Sequence, residues 1–265
     1  MKTLISLLVS WPVWLLAQTA PPIDAAVQAR AGISALPSPT LITINPACLA
    51  FSKGCYAGTG SLSRFGLKQL IQSSAFFQYG NSRSGFCLNL NRFGYSLYHE
   101  TSISAGIGLK LNPKNAIGVS LQPGYTYVAE GTAHPVTLRA GCGYYLDREK
   151  WGFGTLLTFP ANNFHAGGIN TSEIKVGFQF RADKKIVVMS QINIAPVTRP
   201  SFSLAFQYQA FPELFLVGGI QTYPFKNSFG FGYQKSGIKI WLAAQVQEKL
   251  GWSPGILLVY KLNRP

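Results

Sequence analysis

The sequence predicts an all-β fold: a transmembrane antiparallel β-barrel of about 14 strands with an N-terminal plug-like segment. Three observations predict it: an export-type apolar run at the N-terminus, few charged residues, and alternation of apolar and polar residues along most of the chain. Charged residues make up 12% of the sequence, against about 25% in soluble domains. No stretch supplies the roughly 18 consecutive apolar residues of a membrane helix. Without such helices, only a closed barrel pairs every backbone group within lipid.

Residues 1–17 have the features of a signal peptide. Lys2 supplies a positive charge, residues 4–16 are mostly apolar, and Ala17 is the small residue before the expected cut. The apolar run is about a dozen residues, shorter than the roughly 20 that a spanning helix needs. We therefore predict export to the bacterial outer membrane, a periplasmic or plug segment over residues 18–53 with one short helix at 24–31, and the barrel over residues 54–262.

Alternation defines the strands, because successive side chains of a strand point to opposite faces. In the clearest segment Ile103, Ile107 and Leu109 share one face, and Ser104 and Lys110 share the other. The predicted strands cover residues 54–63, 68–79, 83–92, 100–111, 116–129, 135–146, 151–159, 172–181, 185–195, 201–210, 214–222, 227–234, 238–247 and 254–262. A soluble β-sandwich would also alternate, but the signal peptide and a polar face rich in Gly, Ser and Gln favour a barrel with its apolar face toward lipid.

Short and longer connections alternate along the chain, as they do in outer-membrane barrels. The sequence predicts short turns at 80–82, 112–115, 147–150, 182–184 and 236–237, and longer links at 91–99, 130–134, 161–171 and 248–253. An even number of strands places both ends of the barrel on the periplasmic side. Aromatic residues gather near the predicted strand ends, among them Trp151, Tyr208 and Trp252, as an interfacial girdle requires.

The formal charge of +14 does not indicate a nucleic-acid partner, because the basic residues are scattered and the chain is exported. We expect these residues to contact the phosphates of outer-membrane lipid and lipopolysaccharide. Cys48 and Cys55 are close enough in sequence for a disulfide, which the sequence leaves open. Cys87 and Cys142 lie in strand segments and are expected to be small buried or lipid-facing residues.

One short motif carries a resemblance to a known family. Asn45-Pro46-Ala47-Cys48-Leu49-Ala50 resembles the segment before the first strand of FadL-type hydrophobic-compound transporters and of the related Bacteroidota PorV/PorQ-like barrels. Residues 92–100, 227–232 and 250–254 are also similar to PorV/PorQ-like barrels, so the resemblance covers most of the mature chain. The chain departs from the family at Cys48, where a glycine is usual, and at residues 37–39, where Pro-Ser-Pro replaces an acidic pair.

This resemblance implies that residues 29–50 form a hatch inside the lumen, with Asn45, Pro46 and Ala47 as its motif. A barrel of about 14 strands is too wide for its own side chains to fill, so an internal segment has room. The residues alone leave a second interpretation open, in which Asn45 and Pro46 form a turn that directs the chain into the first strand.

Polar side chains on the inward faces of the predicted strands are candidates for lining the lumen: Lys110, Arg139, Glu173, Lys175, Gln179, Arg181 and Lys239. They would set the selectivity of a polar path or, as we favour, form an ion-paired filling or contacts to the plug. We predict no enzyme, metal site or cofactor. The histidines, at 99, 134 and 165, fall in predicted outer loops, and no metal-ligand spacing or phosphate-binding motif is present.

Two functions fit these features. The first is an accessory barrel of a protein-secretion or surface-assembly system of the type IX kind, as the PorV/PorQ resemblance implies, with a secretion-complex protein as partner. The alternative is a FadL-like channel for uptake of a small hydrophobic compound. Short outer loops and few reactive lumen groups favour the first, whereas a kinked strand or a lateral opening would favour the second.

Overall fold

A computed structural model describes residues 45–129, 135–160, 172–196 and 198–262. In this part of the chain 14 strands pair in chain order, each antiparallel to the next, and the last strand pairs with the first to close a barrel. The strands are β1 (Gly54–Ser63), β2 (Ile71–Gly80), β3 (Ser84–Gly94), β4 (Tyr98–Lys110), β5 (Asn115–Val128), β6 (Val136–Asp147), β7 (Trp151–Pro160), β8 (Glu173–Arg181), β9 (Ile186–Ala195), β10 (Thr198–Phe211), β11 (Leu214–Gln221), β12 (Lys226–Lys235), β13 (Ile238–Gln247) and β14 (Gly251–Lys261). The predicted antiparallel β-barrel of about 14 strands is confirmed. The predicted signal peptide, the helix at 24–31 and residues 18–44 of the N-terminal segment lie outside the described residues.

The prediction of a long link over residues 91–99 is wrong. The ladder between β3 and β4 continues to the pair Gly94 and His99, and the Tyr95 N–H donates to the Tyr98 carbonyl at 2.7 Å. Only residues 95–97 connect the two strands, and His99 belongs to β4 rather than to an outer loop. The alternation of apolar and polar residues is weak around Gly94, where the backbone has a φ of 106° and departs from ordinary strand geometry.

The two faces of the wall differ as the alternation predicts. In β4 the side chains of Ile107 and Leu109 are exposed, whereas Gly106 and Gly108 on the opposite face are buried. The same division holds around the barrel, and because the strand order is closed, the exposed apolar face is the outer one. Among the described residues, no helix has the length and apolarity of a membrane-crossing segment.

Apart from Pro160, the last residue of β7, three prolines of the described chain lie inside strands, each where one of the two neighbouring ladders is interrupted or ends. Pro123 of β5 falls in a gap of the pairing with β4, and Pro200 of β10 falls in a register shift against β9. Pro254 of β14 comes directly before Gly255, the last residue of that strand to pair with β1. Proline has no backbone N–H to donate, so these are the positions where a sheet tolerates it.

Candidate functional site

A short 3-10 helix, Pro46–Phe51, lies inside the barrel against β2 to β6; we call it the inner helix. Asn45 caps it, because its side-chain oxygen accepts a hydrogen bond from the Ala47 N–H at 3.1 Å. Pro46 has no N–H to satisfy and takes the first helical position. Residues 45–50 are all buried. The motif predicted from the resemblance therefore lies within the lumen, and its role as a hatch remains a prediction.

The side chain of Asn45 also attaches the inner helix to the wall. Its Nδ2 donates to the backbone carbonyls of Tyr144 in β6, at 3.2 Å, and Thr155 in β7, at 3.4 Å. One amide thus caps the helix with its oxygen and binds two strands with its nitrogen. This bonding pattern distinguishes the segment from a turn that only directs the chain into β1.

The wall under the inner helix is made of glycine. Five inward glycines on five successive strands are so close to residues 45–52 that an added Cβ would overlap backbone or side-chain atoms of that segment: Gly80, Gly85, Gly108, Gly118 and Gly143. We call these residues the glycine seat. The overlaps involve mainly backbone atoms, which cannot rotate away as side chains do. The absence of side chains at these positions is what lets the inner helix approach the wall.

The remaining space beside the inner helix is filled by apolar side chains. Leu49 packs with the inward residues Phe76, Cys87, Val217, Trp241, Ala243, Leu257 and Val259, all buried, which we call the apolar cluster. Two of its rings lie against glycines of neighbouring strands, Trp241 on Gly232 and Phe76 on Gly58. The cluster departs from the predicted polar inward face, which is rich in Gly, Ser and Gln. The available signal was the apolar run over residues 256–260, which indicates burial on both faces.

The candidate lumen residues are all on inward faces, but they do not form one site. Near the inner helix, the Lys110 ammonium lies 4.9 Å from the centre of the Phe51 ring. Gln179 donates to the Tyr145 hydroxyl at 2.8 Å, and the Tyr145 ring meets Phe51 edge-on at 5.2 Å. These contacts agree with the interpretation that such residues pack against an internal segment.

The other candidates form separate contacts. Arg181 pairs with Asp147 at 2.7 Å near the predicted periplasmic end, and Lys175 pairs with Glu173 at 3.1 Å toward the predicted outer end of β8. The Lys239 ammonium lies 5.2 Å from the Trp241 ring. Arg139 is half-buried on β6. Their predicted role in selectivity stays a prediction.

A cavity of about 330 Å³ opens beside the C-terminal end of the inner helix. Its lining includes the ring of Phe51 and three cationic side chains, those of Lys53, Lys239 and Lys261, together with residues of β1, β12, β13 and β14. It lies at the end of the barrel where the chain enters β1 and leaves β14. By the predicted topology this is the periplasmic end.

The four cysteines are free thiols, so Cys48 and Cys55 are not bridged. Cys87 is buried and Cys142 is exposed, as predicted for small residues of strands. Among the described residues, no group of three His, Cys, Asp or Glu side chains comes together as metal ligands.

No family model matches the sequence, and no curated protein is similar to it. The fold has solved counterparts. The Pseudomonas putida toluene transporter TodX superposes with a TM-score of 0.71 at 10% identity, over 92% of this chain and 100% of that one. This chain has the fold of FadL-type outer-membrane channels. The CymD monoaromatic hydrocarbon channel gives 0.64 at 13% identity, over 94% and 100% of the two chains, and a Pseudomonas aeruginosa FadL homologue gives 0.63 at 11%, over 92% and 99%.

The shared barrel fold agrees with the predicted location in the bacterial outer membrane. The solved structures that share the fold are described as transporters and channels rather than enzymes. Nothing in the comparisons supports the predicted assignment to PorV/PorQ-like barrels. At identities of 13% or less, the likeness establishes the fold alone.

Proposed function

We propose that this protein is an outer-membrane channel for small hydrophobic compounds, closed at its periplasmic end by the inner helix. The observation that carries the proposal is the apolar cluster, which continues from the wall of the lumen onto Leu49 of the inner helix. A water-filled porin has a polar interior. An interior surface of Phe76, Trp241 and Leu257 instead offers binding free energy to an apolar solute.

The size of that free energy favours an apolar substrate over a polar one. Burying apolar surface contributes about 25 cal/mol per Å², so a ring-sized compound that replaces the contacts of Leu49 gains enough to compete for its place. A sugar would lose its hydration at the same surface without regaining hydrogen bonds. The apolar cluster thus acts as a filter that passes solutes by their hydrophobicity.

The inner helix is suited to act as the closing element because few strong interactions hold it. Two side-chain hydrogen bonds from Asn45 join it to the wall, and each contributes about 0.5–1.5 kcal/mol. Around these bonds Leu49 and Phe51 pack against apolar and aromatic side chains of the wall, and an apolar ligand can replace such contacts. Beyond it, the cavity lined by Phe51 and Lys239 gives a released compound a place to leave the barrel.

The accessory-barrel function predicted first has no comparable support. The shared fold is that of hydrocarbon channels, and the apolar cluster offers an apolar solute a binding surface inside the barrel. We therefore place the channel ahead of it.

The test is uptake by intact cells of a Gram-negative host that lacks its own hydrophobic-compound channels. Initial rates are measured for labelled toluene and, in parallel, for a labelled pentose. We expect the protein to raise toluene uptake several-fold over cells with the empty vector and to leave pentose uptake unchanged. Increased pentose uptake without toluene uptake would identify an ordinary porin and reject the proposal.

A matched pair of variants tests whether the apolar cluster carries the transport. Val217→Thr places a hydroxyl in the apolar cluster, where Val217 is buried, and should lower toluene uptake about five-fold if the added polarity costs about 1 kcal/mol. Val119→Thr makes the same change on the lipid-facing side, where Val119 is 53% exposed, and should leave uptake unchanged. Equal losses in the two variants would show that the loss of uptake does not depend on the apolar cluster.

A further inference from the structure

Beyond Cys87 toward the outer end of the barrel, the inward face of β3 changes from apolar to amide. Asn89 and Asn91 follow at the next two inward positions. The register places Asn89 between Phe76 of β2 and Ser104 of β4. The side chains of Asn89, Asn91 and Ser104 are 7%, 5% and 1% exposed. They form a neutral polar patch next to the aromatic edge of the apolar cluster, and we call them the amide patch.

The amide patch has unused hydrogen-bonding capacity. The Oδ1 of Asn89, both amide atoms of Asn91 and the hydroxyl of Ser104 are buried without a hydrogen-bond partner. Leaving a buried polar atom unpaired costs about 1–3 kcal/mol. Several such atoms in one place therefore favour a bound group that forms hydrogen bonds with them. Because these atoms include acceptors and a donor, the group must both donate and accept hydrogen bonds.

We propose that the lumen selects neutral aromatic compounds that carry a hydroxyl group, such as phenol and its methyl derivatives, over plain aromatic hydrocarbons. This inference rests on the proposed channel function and narrows its substrate class. The ring of such a compound packs against Phe76, and its hydroxyl donates to Asn89 or Asn91 and accepts from the Asn91 amide. The patch itself carries no charge, so a neutral hydroxyl satisfies it without an ion being desolvated.

A plain hydrocarbon is disfavoured at the same position for a physical reason. It fills the space beside Phe76 but leaves the amide atoms unpaired or strips them of water. Sites built to hydrogen-bond a hydroxyl reject the analogue without it more strongly than apolar pockets reject an extra group. An aromatic carboxylate is also disfavoured, because it has no proton to donate to the Asn89 and Asn91 oxygens and must lose more hydration.

The experiment compares initial uptake of labelled p-cresol and labelled toluene by intact host cells, after subtraction of empty-vector rates. We expect the full-length protein to favour p-cresol by about ten-fold. The double variant Asn89→Leu with Asn91→Leu should abolish that preference by lowering p-cresol uptake while toluene uptake stays level or rises. Ser104→Ala should reduce the preference by a smaller factor.

The matched control is Gln209→Leu, an inward amide at the periplasmic end of β10 whose nitrogen donates to the Pro212 carbonyl. It should keep the wild-type preference. Folding of each variant is checked by its heat-dependent shift in gel migration, and Ser104→Ala serves as the test if the double variant fails to fold.

The outcomes separate this inference from the channel function. A wild-type protein that transports toluene with no preference for p-cresol, or a preference that survives both amide-patch variants, overturns the inference and leaves the channel standing. The patch would then hold only water. A wild-type protein that raises uptake of neither compound overturns the proposed function itself.

Discussion

The two halves of the lumen wall differ in the size of their inward side chains. From β2 to β6 the inward positions beside the inner helix include five glycines, and the backbone of the inner helix lies directly against the wall there. From β11 to β14 the inward positions include Trp241, Leu257 and Val259, and the wall there supplies bulk. One half admits an internal segment by lacking side chains, and the other fills the rest of the width with them. A barrel of this size needs both devices because its strands alone leave an open interior.

The largest effect on stability is expected in the half of the wall with bulky inward side chains, β11 to β14. Trp241 is 2% exposed, and Trp241→Ala should lower the free energy of unfolding by about 3–5 kcal/mol through the cavity it leaves. The measurement is the temperature at which the folded form disappears in a heat-modifiability gel. Leu242→Ala, on the lipid face of the same strand, should have a clearly smaller effect. Equal shifts would mean that Trp241 does not hold the inner wall.

A substitution in the glycine half of the wall should affect the closure of the lumen more than the stability of the barrel. A Cβ at Gly118 would overlap the backbone of Pro46 and Ala47, so Gly118→Val should displace the inner helix at a cost of about 1–3 kcal/mol. We expect an increased leak, measured as uptake of a labelled pentose by intact cells. Ile117→Val, the outward neighbour, should not leak. A Gly118→Val barrel without increased pentose uptake would show that the inner helix does not close the lumen.

The smallest effect is expected at the link between the inner helix and the wall. Asn45→Ala removes the helix cap and the bonds to β6 and β7, which at the lower end of the usual range, about 0.5 kcal/mol for each of the three, together contribute about 1.5 kcal/mol. In a chain whose other cysteines are alanine, Cys48 should then react with a maleimide about ten-fold faster than in the Asn45 chain, because 1.4 kcal/mol is a tenfold change in opening. Asn45→Asp keeps the cap and loses only the wall bonds, so its rate should be intermediate. Identical rates in all three chains would exclude a stabilising role for Asn45.

The strands could be predicted from the sequence because alternation is a local property. Outward residues such as Ile107 and Phe206 and inward residues such as Gly108 take their faces from their immediate neighbours. The Gly218-Gly219 pair of β11 allows close packing without a bulge, because the Phe206 ring lies over Gly218 and the strand pairing there is continuous.

The site was harder to predict because its parts are far apart in the sequence. Asn45 bonds to Tyr144 and Thr155, separated from it by 99 and 110 residues. The glycine seat is spread over five strands, and each of its members alone is an ordinary strand glycine. The apolar cluster could not be predicted for the same reason, since Leu49 and Trp241 become neighbours only when the barrel closes. The motif at residues 45–50 was recognisable by resemblance, but its contacts were not.

Only Ser52 and Lys53 separate the inner helix from the first residue of β1. Two extended residues span about 7 Å, so the C-terminal end of the helix is tethered to the rim of the barrel. At the other end, the Asn45 amide bonds the inner helix to the wall at β6 and β7. Any motion of the inner helix away from the glycine seat therefore pivots about residues 52–53 and breaks the wall bonds of Asn45.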